Sequence, residues 1–227
     1  MSVLEMISTH EQDWFKKFDP EKRILTGQAY LLAKRCMDLF LVVLTLPLWL
    51  PLNGIIALII RISSPGAPVV FRQLRTGKGG RRFDMYKFRT MVHNAEELKA
   101  VYAHLNELQS PDFKITNDPR ITPVGRFLRR TSLDELPQLF NVLRGEMSLV
   151  GPRPTSFGAE TYQLWHTERL DVMPGMTGLW QIIGRAHLEF DDRLRLDIAY
   201  IERAGIWMDI NILIRTFLAV FQQRGAY

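Results

Sequence analysis

Cysteine and histidine are scarce in the sequence, and this scarcity excludes two ways of stabilising a fold. Cys36 is the single cysteine, so no disulfide can form within the chain. The five histidines are scattered and lack the spacing of a structural zinc site. Of the 227 residues, 47% are hydrophobic and 23% charged, which is a globular composition. We therefore expect one main domain with an appendage, facing a reducing cytosol.

Internal repeats and low-complexity tracts are also missing, and negative charge is in deficit. The net charge of +5 favours anionic partners, which include phospholipid head groups, nucleotide phosphates and nucleic acid. No base-reading helix or stacking platform accompanies this charge. Nucleic acid is therefore not expected as a partner.

Charged residues are absent from Leu39 to Ile60. At about 1.5 Å per residue, a helix of this length could span a bilayer core of about 30 Å. The run begins too far from the N-terminus, and lacks the small-residue cleavage site, to be an ordinary signal peptide, so we expect it to stay on the protein. No polar face interrupts it, which favours membrane insertion over a buried core helix.

Two prolines in this run favour a re-entrant hairpin. Pro47 and Pro51 should bend a helix sharply, and the arms Leu39–Leu50 and Leu52–Ile60 each rise only roughly 14 to 18 Å, about half the hydrocarbon thickness. We expect the break at Pro51, where the freed backbone groups need a partner, either the Asn53 side chain or another neighbour that bonds to the carbonyl. Both flanks are basic, which places both ends on the cytoplasmic side, through Lys34, Arg35, Arg61, Arg72 and Arg75. A proline-kinked spanning helix is the alternative.

Three segments are predicted: residues 1–30 as an N-terminal extension, residues 31–62 as the membrane hairpin, and residues 63–227 as a mostly helical α/β domain with a small β-hairpin. The hairpin joins Val69–Thr76 to Arg82–Thr90 through a glycine-rich turn. Helices are predicted over Val92–Leu108, Val124–Arg130, Leu136–Leu143, Phe190–Ile201 and Trp207–Phe221. The last helix is apolar enough either to pack in the core or to lie at a membrane interface.

The adjacent carboxylates Asp134 and Glu135 are candidate catalytic residues. One interpretation is a capping box, in which Ser132 caps a helix and Glu135 reaches back to it. Pro137 disfavours this, because a proline beyond the first turn is hard to accommodate, so the helix should begin near Asp134. A helix N-terminus favours ionised carboxylates and attracts phosphate. An ionised aspartate can attack phosphorus, and paired carboxylates can hold Mg²⁺.

Several basic residues are embedded in turns or strand ends. Lys87 lies in Met85-Tyr86-Lys87-Phe88-Arg89, and Arg185 closes the stretch that begins at Met173. Arg153 lies between two prolines, so its guanidinium loses less freedom when it grips a phosphate. A surface salt bridge would account for each one singly. Together they predict an anion-binding floor.

These motifs, taken in order over Leu32 to Tyr227, resemble the bacterial sugar transferase family, the monotopic polyprenyl-phosphate phosphoglycosyl transferases. The resemblance is carried by the basic residues ahead of Asp38, Pro51, Phe71-Arg72-Gln73 with Arg75 and Gly77, Tyr86-Lys87-Phe88-Arg89-Thr90-Met91, Ser132-Leu133-Asp134-Glu135-Leu136-Pro137-Gln138-Leu139, Gly151-Pro152-Arg153-Pro154, and Pro174-Gly175 to Arg185. So many ordered motifs make the match specific.

The resemblance implies a re-entrant helix and a catalytic domain resting on the cytoplasmic face of the bacterial inner membrane, among its lipids. Asp134 would be the nucleophile that accepts a sugar-1-phosphate from a UDP-sugar, releases UMP, and passes the group to polyprenyl phosphate, which starts an exopolysaccharide, capsule or O-antigen. Glu135 would hold Mg²⁺ with Asp134. Substrate phosphates would be bound by Lys87, Arg129, Arg153, Arg185 and Gln181. A homodimer is left open.

Two points limit the resemblance. Many relatives have Ser-Pro at the membrane break, whereas this chain has Leu50-Pro51 and the additional Pro47, so the bend is expected to differ. Gly178-Leu179-Trp180-Gln181 and the ending Arg224-Gly225-Ala226-Tyr227 favour the branch that transfers glucose- or galactose-1-phosphate, but an N-acetylated sugar stays open. The alternative of a different class is a non-catalytic adaptor that recruits anionic partners through its basic surface.

Overall fold

The computed structural model describes residues 13–107, 115–183 and 188–221, and it confirms a mostly helical α/β fold with small sheets. The α-helices of these residues are Gly27–Leu44 (α1), Leu46–Ser63 (α2), Glu97–Val101 (α3), Pro123–Thr131 (α4), Gln138–Arg144 (α5), Leu179–Ile183 (α6), Phe190–Arg203 (α7) and Ile206–Phe221 (α8). The strands are Val70–Thr76 (β1), Arg82–Phe88 (β2), Ser148–Val150 (β3) and Gly175–Thr177 (β4). β1 pairs with β2 antiparallel, and β3 pairs with β4 parallel.

The break between the two long apolar helices lies at Thr45, and the prediction of a break at Pro51 is wrong. Pro47 falls in the first turn of α2, where a missing N–H costs no helical hydrogen bond, whereas Pro51 lies inside α2. The amide of Asn53 donates to the carbonyl of Trp49 at 2.8 Å, so it does not bond to the Pro47 carbonyl that Pro51 frees. The sequence offered two prolines one turn apart and no local signal to choose between them.

One face of α2 packs against the main domain, and the rest is exposed. Its buried residues recur at helical spacing, and the Trp49 ring meets Phe140 edge-on at 5.1 Å. The buried stripe consists of Trp49, Asn53, Ile56 and Ile60. Large apolar side chains are exposed on α2: Leu48, Leu50, Ile55, Leu58, Ile59 and Ile62. Among the described helices, α2 is long and apolar enough to cross a membrane, and 22% of it is buried.

α1 is fixed to the main domain by buried polar contacts. Lys34 Nζ lies 2.8 Å from Asp209 Oδ2 on α8, and the Tyr200 hydroxyl donates to the same carboxylate at 2.6 Å. Asp38 accepts a hydrogen bond from Ser148 Oγ on β3 at 2.7 Å. Buried charges are tolerated when they are paired and hydrogen bonded, as they are here. The two apolar helices are therefore anchored to the domain through α1 as well as through α2.

The β-hairpin is present as predicted, and it is attached to α5 by one amide. Gly79 and Gly80 adopt positive φ values of 63° and 76°, which suits the tight turn. The Asn141 side chain is fully buried, accepts from the backbone N–H of Tyr86 at 3.0 Å, and donates to the carbonyl of Asp84 at 2.7 Å. β2 and α5 are thereby held in a fixed relation.

The predicted helix over Val92–Leu108 is too long. Only Glu97–Val101 is α-helical, followed by a 3-10 turn over Ala103–Leu105, and Leu108 lies outside the described residues. Val101 and Leu105 are exposed, so the apolar spacing has no core to pack on, and a short helix without tertiary packing does not propagate. The other four predicted helices agree with α4, α5, α7 and α8 within a few residues.

The C-terminal helix α8 serves two environments. Met208 and Ile212 are fully buried in the core, while Trp207, Phe217 and Leu218 are exposed. Core packing, one of the two readings left open, therefore holds for one face. The opposite face carries exposed apolar surface.

Candidate active site

The two adjacent carboxylates lie in a short turn between α4 and α5. Ser132 ends α4 with a left-handed φ of 57°, and Leu133–Glu135 then forms a 3-10 turn. The Ser132 side chain makes no capping hydrogen bond, so the alternative of a capping box is wrong. α5 begins at Gln138, with Pro137 at its N-cap, so the predicted helix start near Asp134 is also early by about one turn.

Glu135 is held by two cations. Lys87 Nζ lies 2.7 Å from Oε1, and Arg153 approaches both carboxylate oxygens, with Nη1 3.2 Å from Oε2 and Nη2 donating to Oε1. Burial alone would raise the pKa of Glu135, but Arg153 and Lys87 outweigh it, so the pKa lies well below the usual range. Glu135 is therefore ionised, and it fixes the positions of Lys87 and Arg153.

Asp134 lacks the partners that Glu135 has. It is 8% exposed, and no group in the described part of the chain donates a hydrogen bond to its carboxylate. Burial raises its pKa, Lys87 opposes that shift, and the charge of Glu135 adds to it. An unpartnered carboxylate among cations is free to bind a metal ion or to attack an electrophile.

Arg153 is positioned by a close crossing of two backbone segments. The N–H of Gly151 donates to Thr177 on β4 at 2.9 Å, and the N–H of Gly175 donates to Pro152 at 2.9 Å. A Cβ on Gly175 would lie 2.1 Å from the Gly151 nitrogen, so only glycine fits there. The loop that carries Arg153 is thus pressed against β4.

Gln181 and Arg153 share an acceptor. Gln181 Nε2 and Arg153 Nη1 both donate to the carbonyl of Met176, at 3.3 and 3.2 Å. The predicted phosphate-binding glutamine is therefore next to the predicted phosphate-binding arginine. It extends the polar surface beyond the Glu135 contact.

Arg129 lies on the Asp134 side of the site. Its Nε donates to Thr90 Oγ1 at 2.9 Å, and Gly125 permits this approach, because a Cβ there would lie 2.0 Å from the Thr90 carbonyl oxygen. Burial lowers the pKa of Arg129, and Asp134 is the first charge that opposes this shift. The charges of Arg129 and Asp134 therefore attract each other, while the neutral hydroxyl of Thr90 orients the Arg129 side chain.

The structure brings most of the predicted site residues together, and it adds residues that sequence reasoning missed. Glu135, Lys87 and Arg153 are in direct contact, and Asp134 lies close enough to interact electrostatically with all three, while Arg185 lies outside the described residues. Four further side chains line a cavity that adjoins Arg153: Arg75, Arg169, Arg193 and Asp197. The sequence predicts Arg75 only as part of the basic flank of the membrane segment and of a family motif, and the other three residues lie in polar stretches with no local signal.

The donor groups fit Mg²⁺ in a limited way. Residues 13–107, 115–183 and 188–221 contain no group of three or more His, Cys, Asp or Glu side chains arranged to hold a metal ion. The Glu135 carboxylate is already paired with Arg153 and Lys87, whereas the Asp134 carboxylate makes no such ion pair and is available to a metal ion. Mg²⁺ often binds through one or two carboxylates together with substrate phosphates and water. The arrangement fits an ion shared between Asp134 and a bound substrate, and not an all-protein site.

Comparison with known proteins shows the family of the chain. Residues 29–223 match the bacterial sugar transferase family, and the chain belongs to that family, as its motifs predict. The chain is 45% identical over 199 residues to the undecaprenyl-phosphate galactose phosphotransferase of Salmonella typhimurium. It is 41% identical over 224 residues to the galactosyl transferase CpsE of Streptococcus agalactiae, and 38% identical over 201 residues to the exopolysaccharide production protein ExoY of Rhizobium meliloti.

These relatives differ in how much of them the chain covers. The alignments take in 86%, 91% and 86% of this chain, in the order given, but 41%, 49% and 88% of the relatives. The chain thus spans less than half the length of the first two and most of the third.

Proposed function

We propose that this protein transfers a hexose-1-phosphate from a UDP-sugar to polyprenyl phosphate, giving a polyprenyl-diphosphate-sugar and UMP. Family membership supports this, as do relatives named for galactose and undecaprenyl phosphate. The observation that carries the proposal is the buried, unpartnered carboxylate of Asp134 beside an ionised Glu135 that holds Lys87 and Arg153. The product would start an exopolysaccharide, capsule or O-antigen.

The chemistry proceeds in two displacements. An oxygen of Asp134 bonds to the sugar-bearing phosphorus, the bond from that phosphorus to the bridging oxygen breaks, and UMP leaves with the bond's electrons. An oxygen of polyprenyl phosphate then attacks the same phosphorus, and the Asp134 carboxylate leaves unchanged. Lys87 and Arg153 lie where they offset the negative charge of the reacting phosphates, which would otherwise repel the carboxylate.

Mg²⁺ would be held by Asp134, with Glu135 close by and substrate phosphates completing its ligands. When bound, it would neutralise the diphosphate and stabilise the leaving UMP. Glu135 would orient Lys87 and Arg153 whether or not the ion is present, because those contacts are already made.

Residues 31–62 are proposed to form a re-entrant membrane hairpin, with residues 63–227 resting on the cytoplasmic face of the inner membrane. The buried stripe of α2 stays against the domain from Trp49 to Ile60, about 16 Å of helix, while its other side exposes leucine and isoleucine. A helix that spanned the bilayer would have to separate from the domain along this stripe, so the packing favours the hairpin over the spanning helix. The exposed apolar face of α8, with Trp207 at its start, would add to the contact with lipid.

The proposal is tested by incubating the purified protein with polyprenyl phosphate, Mg²⁺ and a panel of UDP-sugars, and by measuring UMP. Release is expected with UDP-glucose or UDP-galactose, and preference for an N-acetylated sugar would move the substrate assignment within the family. Without polyprenyl phosphate, a UDP-sugar labelled at the sugar-bearing phosphate should label the protein, and Asp134→Asn should abolish that label.

An exchange of the two acidic residues separates catalysis from recruitment. In the variant Asp134→Glu/Glu135→Asp the charge is unchanged, but the nucleophile and the partner of Arg153 are both misplaced. UMP release should fall at least about 10³-fold. Absence of UMP release with every sugar in the panel would support the adaptor alternative. Full UMP release in the exchanged variant would contradict the role of Asp134 as the nucleophile.

A further inference from the structure

A cavity of about 140 Å³ adjoins the active site on the far side of Arg153. It is smaller than the roughly 300–1,000 Å³ of most small-molecule pockets, so it would take one end of a larger ligand. The residues that define its chemistry are Arg75, Arg153, Arg169, Arg193, Trp180 and Asp197. Arg153 belongs to both places, because it also binds Glu135.

The cavity is strongly cationic. Four guanidinium groups line it, against the carboxylate of Asp197 and the shared carboxylate of Glu135. Arg75 is oriented by the carbonyl of Pro154 at 3.2 Å, and burial lowers its pKa to about 10, with Arg153 adding to the shift. This excess of positive charge favours a ligand that carries phosphate.

Asp197 places a second requirement on the ligand. It is 1% exposed, and Arg169 Nη2 lies 2.8 Å from Oδ2, yet the geometry is not that of a hydrogen bond. Both carboxylate oxygens therefore lack a hydrogen-bond donor within the described residues. A buried acceptor without a hydrogen bond destabilises the protein, and a ligand that supplies a donor would remove this free-energy cost.

Aromatic rings supply the remaining wall. The guanidinium of Arg193 lies 5.5 Å from the centre of the Trp180 ring and 5.7 Å from that of Phe190. Such a stack of cation and aromatic ring presents a flat, apolar edge beside charge. Planar rings pack well against a surface of this kind.

We propose that this cavity binds the nucleoside end of the nucleotide sugar, with Asp197 accepting a hydrogen bond from a ribose hydroxyl or a base N–H. The proposal rests on the proposed function for the identity of the nucleotide. A polyprenyl phosphate also carries phosphate but has no ribose hydroxyl or base N–H to donate to Asp197. The cavity therefore selects the nucleotide over the lipid, and Arg153 connects it to the reacting phosphorus.

The test is the binding of UMP to the full chain that carries Asp134→Asn, measured by calorimetry in detergent. Adding Asp197→Asn should weaken UMP binding about tenfold or more, and should not weaken the binding of inorganic phosphate. Adding Arg193→Gln should weaken both. The matched controls are Asp192→Asn and Arg195→Gln on the same helix α7, which lie outside the cavity and should leave UMP affinity unchanged.

A second readout does not depend on these variants. UMP should change the tryptophan fluorescence of the protein, and the conservative Trp180→Phe variant should lose most of that change.

UMP affinity within twofold of the parent in both cavity variants would overturn the proposal. It would also be overturned if farnesyl phosphate displaced UMP with equal strength in the presence and absence of Asp197→Asn, because the cavity would then serve the lipid phosphate.

Binding and turnover fail separately. UMP binding that depends on Asp197, together with no UMP release from any sugar, would sink the transferase proposal and keep the cavity assignment. If turnover depends on Asp134 but UMP affinity does not change with Asp197 or Arg193, the transferase proposal stands and the cavity assignment is wrong.

Discussion

Two buried aspartates in this protein have opposite surroundings. Asp209 is fully buried and accepts hydrogen bonds from Lys34, Tyr30 and Tyr200 at 2.6 to 3.0 Å. Asp134 is nearly as buried, and no group among the described residues donates to its carboxylate. The first arrangement is that of a charge that stabilises the fold, and the second is that of a charge kept available. Burial alone does not distinguish them, whereas hydrogen-bond partners do.

The largest expected effect is on turnover at Asp134. Asp134→Asn should lower UMP release by at least about 10³-fold, because the amide cannot attack phosphorus. The free energy of unfolding should stay the same or rise, since an unpaired buried charge is removed. Both quantities are measured on one preparation, by product analysis and by urea denaturation. Full turnover in this variant would rule out the covalent mechanism.

The opposite outcome is expected at Asp209. Asp209→Asn leaves Lys34 buried without its counter-charge, so the free energy of unfolding should fall by about 3–5 kcal/mol, while the turnover of the remaining folded protein is kept. Denaturant titration with activity normalised to folded protein checks this. The double variant Lys34→Met/Asp209→Leu should recover much of the loss, because no charge is left unpaired. A stability loss below about 1 kcal/mol in Asp209→Asn would remove the contrast between the two sites.

The pH dependence should run in opposite directions for activity and stability. Burial raises the pKa of Asp134 above the value of about 3.9 in an unfolded chain, so the folded protein retains this proton to higher pH. Activity needs the ionised form and should rise with pH through the folded-state pKa. The stabilising contribution of the protonated form is full below the unfolded pKa and is lost over the same rise. Comparison of kcat/KM and unfolding free energy with those of Asp134→Asn isolates both effects, and an activity limb at or below pH 4 would contradict the assignment.

The smallest effect concerns the turn that presents the acidic pair. Ser132 has a positive φ, which glycine adopts without a steric penalty, so Ser132→Gly should raise the free energy of unfolding by up to about 1 kcal/mol. Turnover should change less than about threefold if the turn keeps its shape. A thermal unfolding midpoint that falls would show that Ser132 is held by contacts other than its backbone conformation.

The elements that depend on neighbouring residues could be predicted from the sequence. The β-hairpin, α4, α5, α7 and α8 follow from apolar spacing and turn residues close in the chain. The contacts of Lys87 and Arg153 with Glu135 join residues 48 and 18 positions apart, and the sequence predicts the two cations only as members of a shared phosphate site.

The elements that depend on long-range packing could not be predicted. The cavity brings Arg75 next to Arg153, Arg169 and Asp197, and nothing in the local sequence around Asp197 indicates a buried carboxylate. The helix break at Thr45 rather than Pro51 depends on how α2 packs, since the Trp49 ring in the first turn of α2 meets Phe140 of α5 edge-on at 5.1 Å. Local propensity cannot choose between two prolines when a tertiary contact decides.

The buried amide of Asn141 has a consequence for catalysis. It joins the backbone of β2, which carries Lys87, to the helix that follows the acidic turn, and all of its hydrogen bonds lie inside the protein. In the proposed reaction, Lys87 and the acidic turn would therefore be in place before any substrate binds, and the chemical step would need little reorganisation energy. The free energy needed to orient these charges is then spent once, during folding, whereas water molecules would have to reorient in every catalytic cycle.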